Sequence, residues 1–304
     1  MAIPEKILKK VEKPARYTGG EWGQTIKDKK DIDIRFAFCF PDTYEIGMSN
    51  LGIRILYDVL NARADTWCER VYAPWTDMEK YMREYDIPLF ALESGDPLRE
   101  FDFIGFTLQY ELCYTNMLNM LSLAGVPIRS ADRDEGMPIV VCGGPCTYNA
   151  EPMADFIDLC LIGEGEEEID ELMTIYAKHK KKGFVKEDFL HECAKQEGFY
   201  VPSFYSVEYN DDGTVKKYTP KYDDIPTKIK KRIIKDMDTV RFPKKVVMPF
   251  IDTVHDRIML EVYRGCIRGC RFCQAGMIYR PVREKSVETL CREGKTLADC
   301  TGYD

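Results

Sequence analysis

Residues 32–62, IDIRFAFCFPDTYEIGMSNLGIRILYDVLNA, decide the fold class of this chain. They begin with a short apolar run, residues 32–40, of the kind that forms a buried strand, and a polar turn follows it. The next stretch, residues 48–62, has its apolar residues at helical spacing. A strand that leads through a short connection into a helix is the repeating unit of a parallel sheet, so this segment predicts an α/β protein.

The same alternation continues to about residue 180 and predicts a doubly wound parallel sheet. The predicted strands are residues 32–40, 69–72, 89–92, 103–109, 139–142 and 159–162. The predicted helices are residues 48–62, 76–85, 112–124 and 166–178. Ligands of such sheets bind outside the carboxyl ends of the strands, so the loops after residues 40, 109 and 142 should face any cofactor. Gly163-Glu-Gly-Glu166 marks another strand-to-helix turn, where Glu166 complements the helix dipole.

Three cysteines, Cys266, Cys270 and Cys273, stand in the run EVYRGCIRGCRFCQAG at residues 261–276. Cysteine thiolates hold iron–sulfur clusters, and three of them on one loop can bind three irons of a [4Fe–4S] cluster and leave the fourth iron open. A structural zinc site usually needs a second pair of ligands, which the rest of this chain does not supply at a suitable spacing. The spacing therefore favours an iron–sulfur cluster, with zinc or passive thiols as alternatives.

The C-x3-C-x-aromatic-C spacing, with Phe272 as the aromatic residue, resembles the motif of the radical S-adenosylmethionine (SAM) superfamily. The resemblance implies that the amino and carboxylate groups of SAM bind the open iron. It also implies that one electron, from a small flavodoxin- or ferredoxin-type partner, cleaves SAM to a 5′-deoxyadenosyl radical. By the same analogy Phe272 packs near the adenine. The other residues assigned to the loop that binds SAM and the cluster are Arg264, Gly265, Gln274 and Gly276.

As a set, the segments between residues 31 and 180 resemble the cobalamin-binding-type domain that precedes the catalytic domain in one large group of radical SAM proteins. Domains that bind cobalt through histidine carry D-x-H-x-x-G, and the matching residues here are Asp42, Tyr44 and Gly47. Because tyrosine replaces the histidine, the domain either holds cobalamin without a protein ligand or keeps the fold without the cofactor. The other residues expected at the cobalamin face are Thr107, Gly143 and Gly144.

The chain divides into four predicted regions. They are an N-terminal extension (1–30), the cobalamin-binding-like domain (31–180), a connector with a β-hairpin (181–250) and the start of a radical SAM barrel (251–304). Within the extension, KKVEKPARYTGG at residues 9–20 resembles the N-terminal segment of an uncharacterised branch of the superfamily.

The last region should begin a partial TIM barrel, with residues 258–262 as its first strand and residues 286–298 as its first helix. Only 31 residues follow Cys273 in this sequence of 304. A complete barrel takes about 250 residues. We therefore expect this chain to be an N-terminal piece of a longer enzyme, truncated at its C-terminus, and to turn SAM over poorly alone.

The charge and the cysteine content of the chain indicate which partners and which compartment to expect. Its net charge of −8 does not favour polyanions, although the basic runs at residues 178–182 and 228–235 could contact RNA phosphates. A solvated surface is the favoured interpretation of both runs. Twelve cysteines, with no export signal and no apolar run of bilayer length, favour a reducing, cytoplasmic compartment and no membrane.

The leading functional hypothesis is a radical SAM enzyme of unknown substrate, in which no catalytic residue can be named. If cobalamin is bound, methyl transfer to an unactivated carbon becomes plausible. The alternatives are an iron–sulfur electron carrier or redox sensor without SAM chemistry, and a radical SAM enzyme that modifies RNA.

Overall fold

A computed structural model describes residues 3–303. One six-stranded sheet has the order β2-β1-β3-β4-β5-β6. Its strands are β1 (Ile34–Phe40), β2 (Thr66–Tyr72), β3 (Phe103–Thr107), β4 (Ile139–Gly143), β5 (Leu159–Leu161) and β6 (Phe199–Tyr200). The strands outside this sheet are β7 (Tyr205–Tyr209), β8 (Val215–Pro220), β9 (Tyr263–Arg264) and β10 (Arg283–Glu284).

Helices connect the strands of the sheet, and others lie before and after it in the sequence. They are α1 (Glu5–Leu8), α2 (Tyr44–Gly47), α3 (Leu51–Ala62), α4 (Thr76–Glu84), α5 (Tyr114–Leu123), α6 (Gly165–Lys182), α7 (Lys186–Ala194), α8 (Ala275–Ile278) and α9 (Val287–Thr301). Among the described residues, no helix is both long and apolar enough to cross a bilayer.

The first five strands of the sheet are parallel, and β6 pairs antiparallel with β5. Every residue of β2 and β3 is buried, as expected of strands that are covered by helices on both faces. The order reverses between β1 and β3, and such a switch point opens a crevice at the carboxyl ends of the strands. The predicted α/β class with a mostly parallel central sheet is confirmed.

The predicted strand at residues 89–92 is wrong. Leu89 and Ala91 are buried, which explains the apolar pattern, but the segment makes only one isolated bridge, between Phe90 and Pro97. The backbone N–H of Leu89 donates to the Leu123 carbonyl, and the N–H of Leu92 donates to the Arg70 carbonyl. Because these acceptors belong to different segments, residues 89–92 form no regular hydrogen-bond ladder with a neighbouring strand. Burial therefore produced the pattern without strand pairing.

The sheet and its helices continue beyond residue 180, the predicted end of the first domain. Helix α7 packs on α6, and β6 adds the sixth strand. Because β6 has two residues, no periodicity could indicate it. The hairpin of β7 and β8 follows where the sequence predicts one. The domain boundaries themselves stay a prediction.

The C-terminal region differs from the expected start of a barrel. Residues 258–262 form no strand, and the only pairing nearby is the two-residue antiparallel contact of β9 with β10. Leu260 and Val262 are exposed, so the apolar pattern of this segment has no partner strand among residues 3–303. Helix α9 forms as predicted, and the Ser286 side chain caps it by accepting from the Thr289 N–H at 3.2 Å. The partial barrel stays a prediction.

A buried ion-pair group ties the N-terminal extension to the sheet. Arg70 in β2 is 2% exposed, and it donates to Glu21 of the extension at 2.9 Å and to Glu93 at 2.6 Å. Both carboxylates are fully buried. The extension is therefore part of the folded unit around the sheet.

Candidate functional site

A cavity of about 460 Å³ lies at the carboxyl edge of the sheet, between the strand ends and the segment at residues 261–280. We call it the sheet-edge cavity. Strands β1, β3, β4 and β5 all contribute residues to its walls, so it spans the switch point of the sheet. Its wall residues include Thr107, Gln109, Gly143, Gly144, Tyr148, Glu166, Arg264, Gly265, Cys266 and Tyr279.

The turn from β5 into α6 depends on Gly163. This residue has φ +139°, and a Cβ on it would lie 2.3 Å from the carbonyl oxygen of Arg232. Glycine is therefore required both for the backbone conformation and for the close approach of the connector. The turn brings Glu164 and Glu166 to the same cavity.

The three motif cysteines stand on one segment, residues 265–282, which we call the cysteine loop. Cys266 is partly exposed and lines the sheet-edge cavity, whereas Cys270 and Cys273 are exposed. The Arg268 N–H lies 3.4 Å from the Cys266 sulfur, in position to donate to it. Within residues 3–303, no three histidine, cysteine or acidic side chains converge to hold a metal ion. The loop thus carries three thiols, but they are not close enough together to form a metal site.

The base of the cysteine loop is tightly built. Arg264 and Arg283 pair across β9 and β10, immediately before and after the loop. Gly265 has φ +97°, and a Cβ there would lie 2.4 Å from the carbonyl oxygen of Pro281, so only glycine fits between the two ends. The close contact with Pro281 explains why a glycine precedes the first motif cysteine.

Acidic residues of the sheet edge bind both arginines at the loop base. Arg264 donates to both carboxylate oxygens of Glu166 and to Glu261 at 2.7 Å. Arg283 donates to Glu164 at 2.5 and 2.6 Å. Burial alone would lower the pKa of Arg264, but the hydrogen bonds to Glu261 and Glu166 raise that pKa above its ordinary value.

Glu168 is an unusual residue of the cavity wall. It is fully buried, and neither of its carboxylate oxygens has a hydrogen-bond partner. Arg232, whose charge acts to lower the pKa of Glu168, directs its guanidinium to Glu171 and to the Glu197 carbonyl. Burial raises the pKa of Glu168 from its ordinary value of 4.5 to about 8. The side chain is therefore largely uncharged at neutral pH.

Replacement of Glu168 by glutamine should make stability less sensitive to pH. Because the folded pKa exceeds the unfolded one, the folded state of the native chain binds more protons, and this residue costs stability as pH rises from about 4.5 to about 8. One pKa unit corresponds to about 1.4 kcal/mol, so the variant should gain up to about 5 kcal/mol over the native chain across this range. Urea unfolding at about pH 5 and about pH 9 measures the gain.

The control for this prediction is Glu167→Gln, since Glu167 is the exposed neighbour on the same helix. It should change stability equally at both pH values. An equal gain for Glu167→Gln and Glu168→Gln would contradict the assignment.

The structure brings together only part of the predicted site. Thr107, Gly143 and Gly144 line the sheet-edge cavity with Arg264, Gly265 and Cys266. Phe272 is 93% exposed and is not on the wall, and neither is Gln274 nor Gly276, although Ala275 between them is. The roles of these residues in holding a cofactor stay predictions.

Asp42, Tyr44 and Gly47 are not among the residues that line the sheet-edge cavity. Tyr44 is 1% exposed, and its hydroxyl donates to Glu21 at 2.9 Å. Asp42 accepts a hydrogen bond from Tyr110, and Gly47 packs against the ring of Tyr72. The loop after β1 turns at once into α2 and packs on β2, which keeps the tyrosine that replaces histidine out of the cavity.

Sequence reasoning missed several residues at this site. Tyr148 donates to the Ile278 carbonyl at 3.1 Å, and Lys231 donates to the same carbonyl at 2.8 Å. Glu164 and Glu166 were visible only as part of a glycine-rich turn, and nothing in the pattern marked Arg283. These residues come from four separate segments, so sequence proximity could not reveal them.

Several lysines of the two basic runs have partners within the chain. Lys178 pairs with Glu192 at 2.6 Å, and Lys180 with Asp102 at 2.5 Å. In the second run, Lys231 caps carbonyls of the cysteine loop, as described above. These partners favour a structural role for both runs.

Residues 52–202 match the family described as "Radical SAM proteins, N-terminal". The uncharacterized protein MJ0966 of Methanocaldococcus jannaschii is 25% identical over 255 residues, a match that covers 84% of this chain and 44% of that protein. The chain therefore spans less than half the length of this curated relative.

Two solved structures of the radical SAM methyltransferase TsrM from Kitasatospora setae are similar to most of the chain. One, with tryptophan substrate and the SAM analogue aza-SAM bound, has a TM-score of 0.43 and 13% identity. The other, with cobalamin and a [4Fe–4S] cluster bound, has a TM-score of 0.45 and 11% identity. Each match covers 88% of this chain and 46% of that chain. These similarities are too low to assign a ligand or a reaction here.

Proposed function

We propose that this chain is a member of the radical SAM superfamily and forms the cofactor-holding N-terminal part of an enzyme that cleaves SAM reductively, a proposal supported by the family match at residues 52–202. One observation carries the proposal. The cavity at the carboxyl edge of the sheet has a motif cysteine, Cys266, in its wall. A cofactor on the sheet and a metal centre on the cysteine loop would therefore face the same space.

The donor set of the cysteine loop fits a [4Fe–4S] cluster. Cys266, Cys270 and Cys273 would hold three irons, and the absence of a fourth motif cysteine leaves one iron for SAM. The exposure of Cys270 and Cys273 makes the loop accessible to a small electron-donor protein. When bound, such a cluster supplies the electron that cleaves SAM.

The chain's own residues define the space around that chemistry. Thr107, Gly143 and Gly144 border the cavity from the sheet, and the two glycines present backbone without side chains. Tyr148 and Tyr279 close it from the side of the loop.

Cobalamin is the cofactor that we propose for the sheet side of this cavity. The cavity lies at the switch point of the sheet, where parallel α/β sheets bind their ligands, and this location supports the assignment. The buried hydroxyl of Tyr44 is bound to Glu21, so this residue cannot reach a cobalt ion in the cavity. Cobalamin would consequently be held without a protein ligand from the loop after β1. Methyl transfer is the reaction class that this pair of cofactors would serve, with a substrate that the chain does not specify.

Spectroscopy of the anaerobically reconstituted chain tests the proposal. We expect a reduced [4Fe–4S] signal by electron paramagnetic resonance, and we expect SAM to change it because SAM binds the open iron. Hydroxocobalamin should bind to the native chain but not to Gly143→Val, because Gly143 lines the cavity and a Cβ on it meets no atom within 4 Å, so the added side chain would occupy open cavity space.

Three outcomes would oppose parts of this proposal. Uptake of zinc in place of iron would contradict the cluster. A cluster signal that SAM leaves unchanged would favour the electron carrier or redox sensor. Equal binding of hydroxocobalamin to both variants, or to neither, would remove cobalamin from the sheet-edge cavity. An RNA-modifying enzyme is less favoured because the basic runs have partners within the chain.

A further inference from the structure

We propose that Glu164 and Glu166 are positioning residues that hold the cysteine loop over the sheet-edge cavity. This positioning role rests on the proposed function. The contacts that support it are present in the chain without any cofactor. The two glutamates belong to the turn between β5 and α6, whereas their partners, Arg283 and Arg264, flank a loop about one hundred residues later.

The glutamate side of this contact is rigid. Glu164 also accepts a hydrogen bond from the backbone N–H of Ile234 at 2.6 Å. Gly163 contacts Arg232 through an isolated bridge, so the turn is fixed to the connector as well as to the sheet. Glu166 lies in the first turn of α6, where the helix dipole favours a negative charge. The turn can therefore act as a fixed anchor.

The arginine side of the contact reaches the loop at both ends. Arg264 immediately precedes Gly265 and Cys266, and Arg283 closes the loop through its pairing with Arg264. Arg283 also donates to the Ile234 carbonyl at 2.7 Å. Two anchored ends fix the direction in which the loop leaves the sheet edge. The position of Cys266 in the cavity wall follows from this anchoring.

These ion pairs are stronger than ordinary surface pairs. The Arg264 side chain is 12% exposed, and that of Glu166 is 9% exposed. Arg264–Glu166 and Arg283–Glu164 each make two hydrogen bonds between one guanidinium and one carboxylate, the geometry that gives the most specific orientation. Loss of the Glu164 carboxylate removes the ion-pair partner of Arg283 in a largely buried place. Loss of the Glu166 carboxylate leaves Arg264 paired with Glu261, a residue close to it in the chain, and so removes its two-bond contact to the turn.

The middle of the loop lacks comparable anchors. Lys231 and Tyr148 hold its later part at the Ile278 carbonyl, but Cys270, Phe272 and Cys273 are exposed. The glutamates thus determine where the loop begins and ends, and they leave the cysteines between those points accessible to iron. This division separates the two roles and allows them to be tested independently.

Hydrogen exchange on the chain without cofactors tests the anchoring directly. Glu164→Gln and Glu166→Gln should each speed exchange of the amides in the peptides at residues 261–266 and 282–286 by about tenfold. Exchange in β1, β3 and β4 should stay unchanged, which shows that the sheet remains folded. Glu167→Gln is the matched control, because Glu167 is exposed on the same helix, and it should change neither region.

A double-mutant cycle isolates the pair of Glu166 with Arg264. Arg264→Gln should speed exchange less in the Glu166→Gln background than in the native background, since the contact with Glu166 is already lost there and only the contacts of Arg264 with other residues, such as Glu261, remain to be removed. Independent effects of the two changes would overturn the assigned contact. Unchanged exchange at the loop base in both glutamate variants would overturn the positioning role.

Reconstituted protein supplies the second measurement. The glutamate variants should bind as much iron as the native chain but bind SAM about tenfold more weakly, because the loop is displaced without loss of a thiol. Iron content that falls together with SAM binding would point to a folding role and reject positioning. Failure of the native chain to bind iron would reject the proposed function and leave the hydrogen-exchange result standing.

Discussion

Replacement of Cys266 by serine should abolish the iron–sulfur cluster of the reconstituted chain. Native protein is expected to bind about four irons, and the variant close to none, because each of three thiolates holds one iron and two cannot retain the cluster. Cys270→Ser and Cys273→Ser should have the same effect. Iron and sulfide analysis after anaerobic desalting, together with the visible spectrum, measures the loss.

Cys291→Ser is the matched control for these variants. Cys291 is an exposed cysteine of α9, within the same C-terminal region but outside the motif. It should keep the full iron content. If this variant lost as much iron as Cys266→Ser, or if Cys266→Ser kept its cluster, the assignment of the ligands would fail.

Replacement of Arg70 by methionine should destabilise the fold by about 3–5 kcal/mol, since it leaves Glu21 and Glu93 as buried charges without a cation. The three side chains are almost completely buried, and they join the N-terminal extension to β2. Chemical unfolding near neutral pH, followed by circular dichroism, measures the difference in the free energy of unfolding.

An exposed pair provides the comparison for Arg70. Arg129 lies 2.9 Å from Asp155, and both side chains are more than half exposed. Arg129→Met should therefore cost less than about 1 kcal/mol. Equal losses for the two variants would show that burial does not set the strength of the Arg70 contacts.

The two arginine sites show why sequence patterns reveal some features and conceal others. Arg70 follows the charged residue Glu69 in β2, and nothing in the pattern of that strand indicates that Arg70 is buried in the core. Its partners are 49 and 23 residues away. The pairing of Arg264 with Glu166 spans 98 residues and was equally invisible. Long-range ion pairs have no periodicity, and only the folded chain brings their members together.

The sequence by itself determined the class of the fold and the likeness of the cysteine motif to radical SAM proteins. Both are local properties, since strand and helix periodicity and the spacing of ligands on one loop act over a few residues. Tertiary structure alone decided which loops meet. It placed Thr107, Gly144 and Cys266 around one cavity and directed Tyr44 away from it. It also kept residues 258–262 from forming a strand, because a strand needs a neighbour that the described chain does not provide.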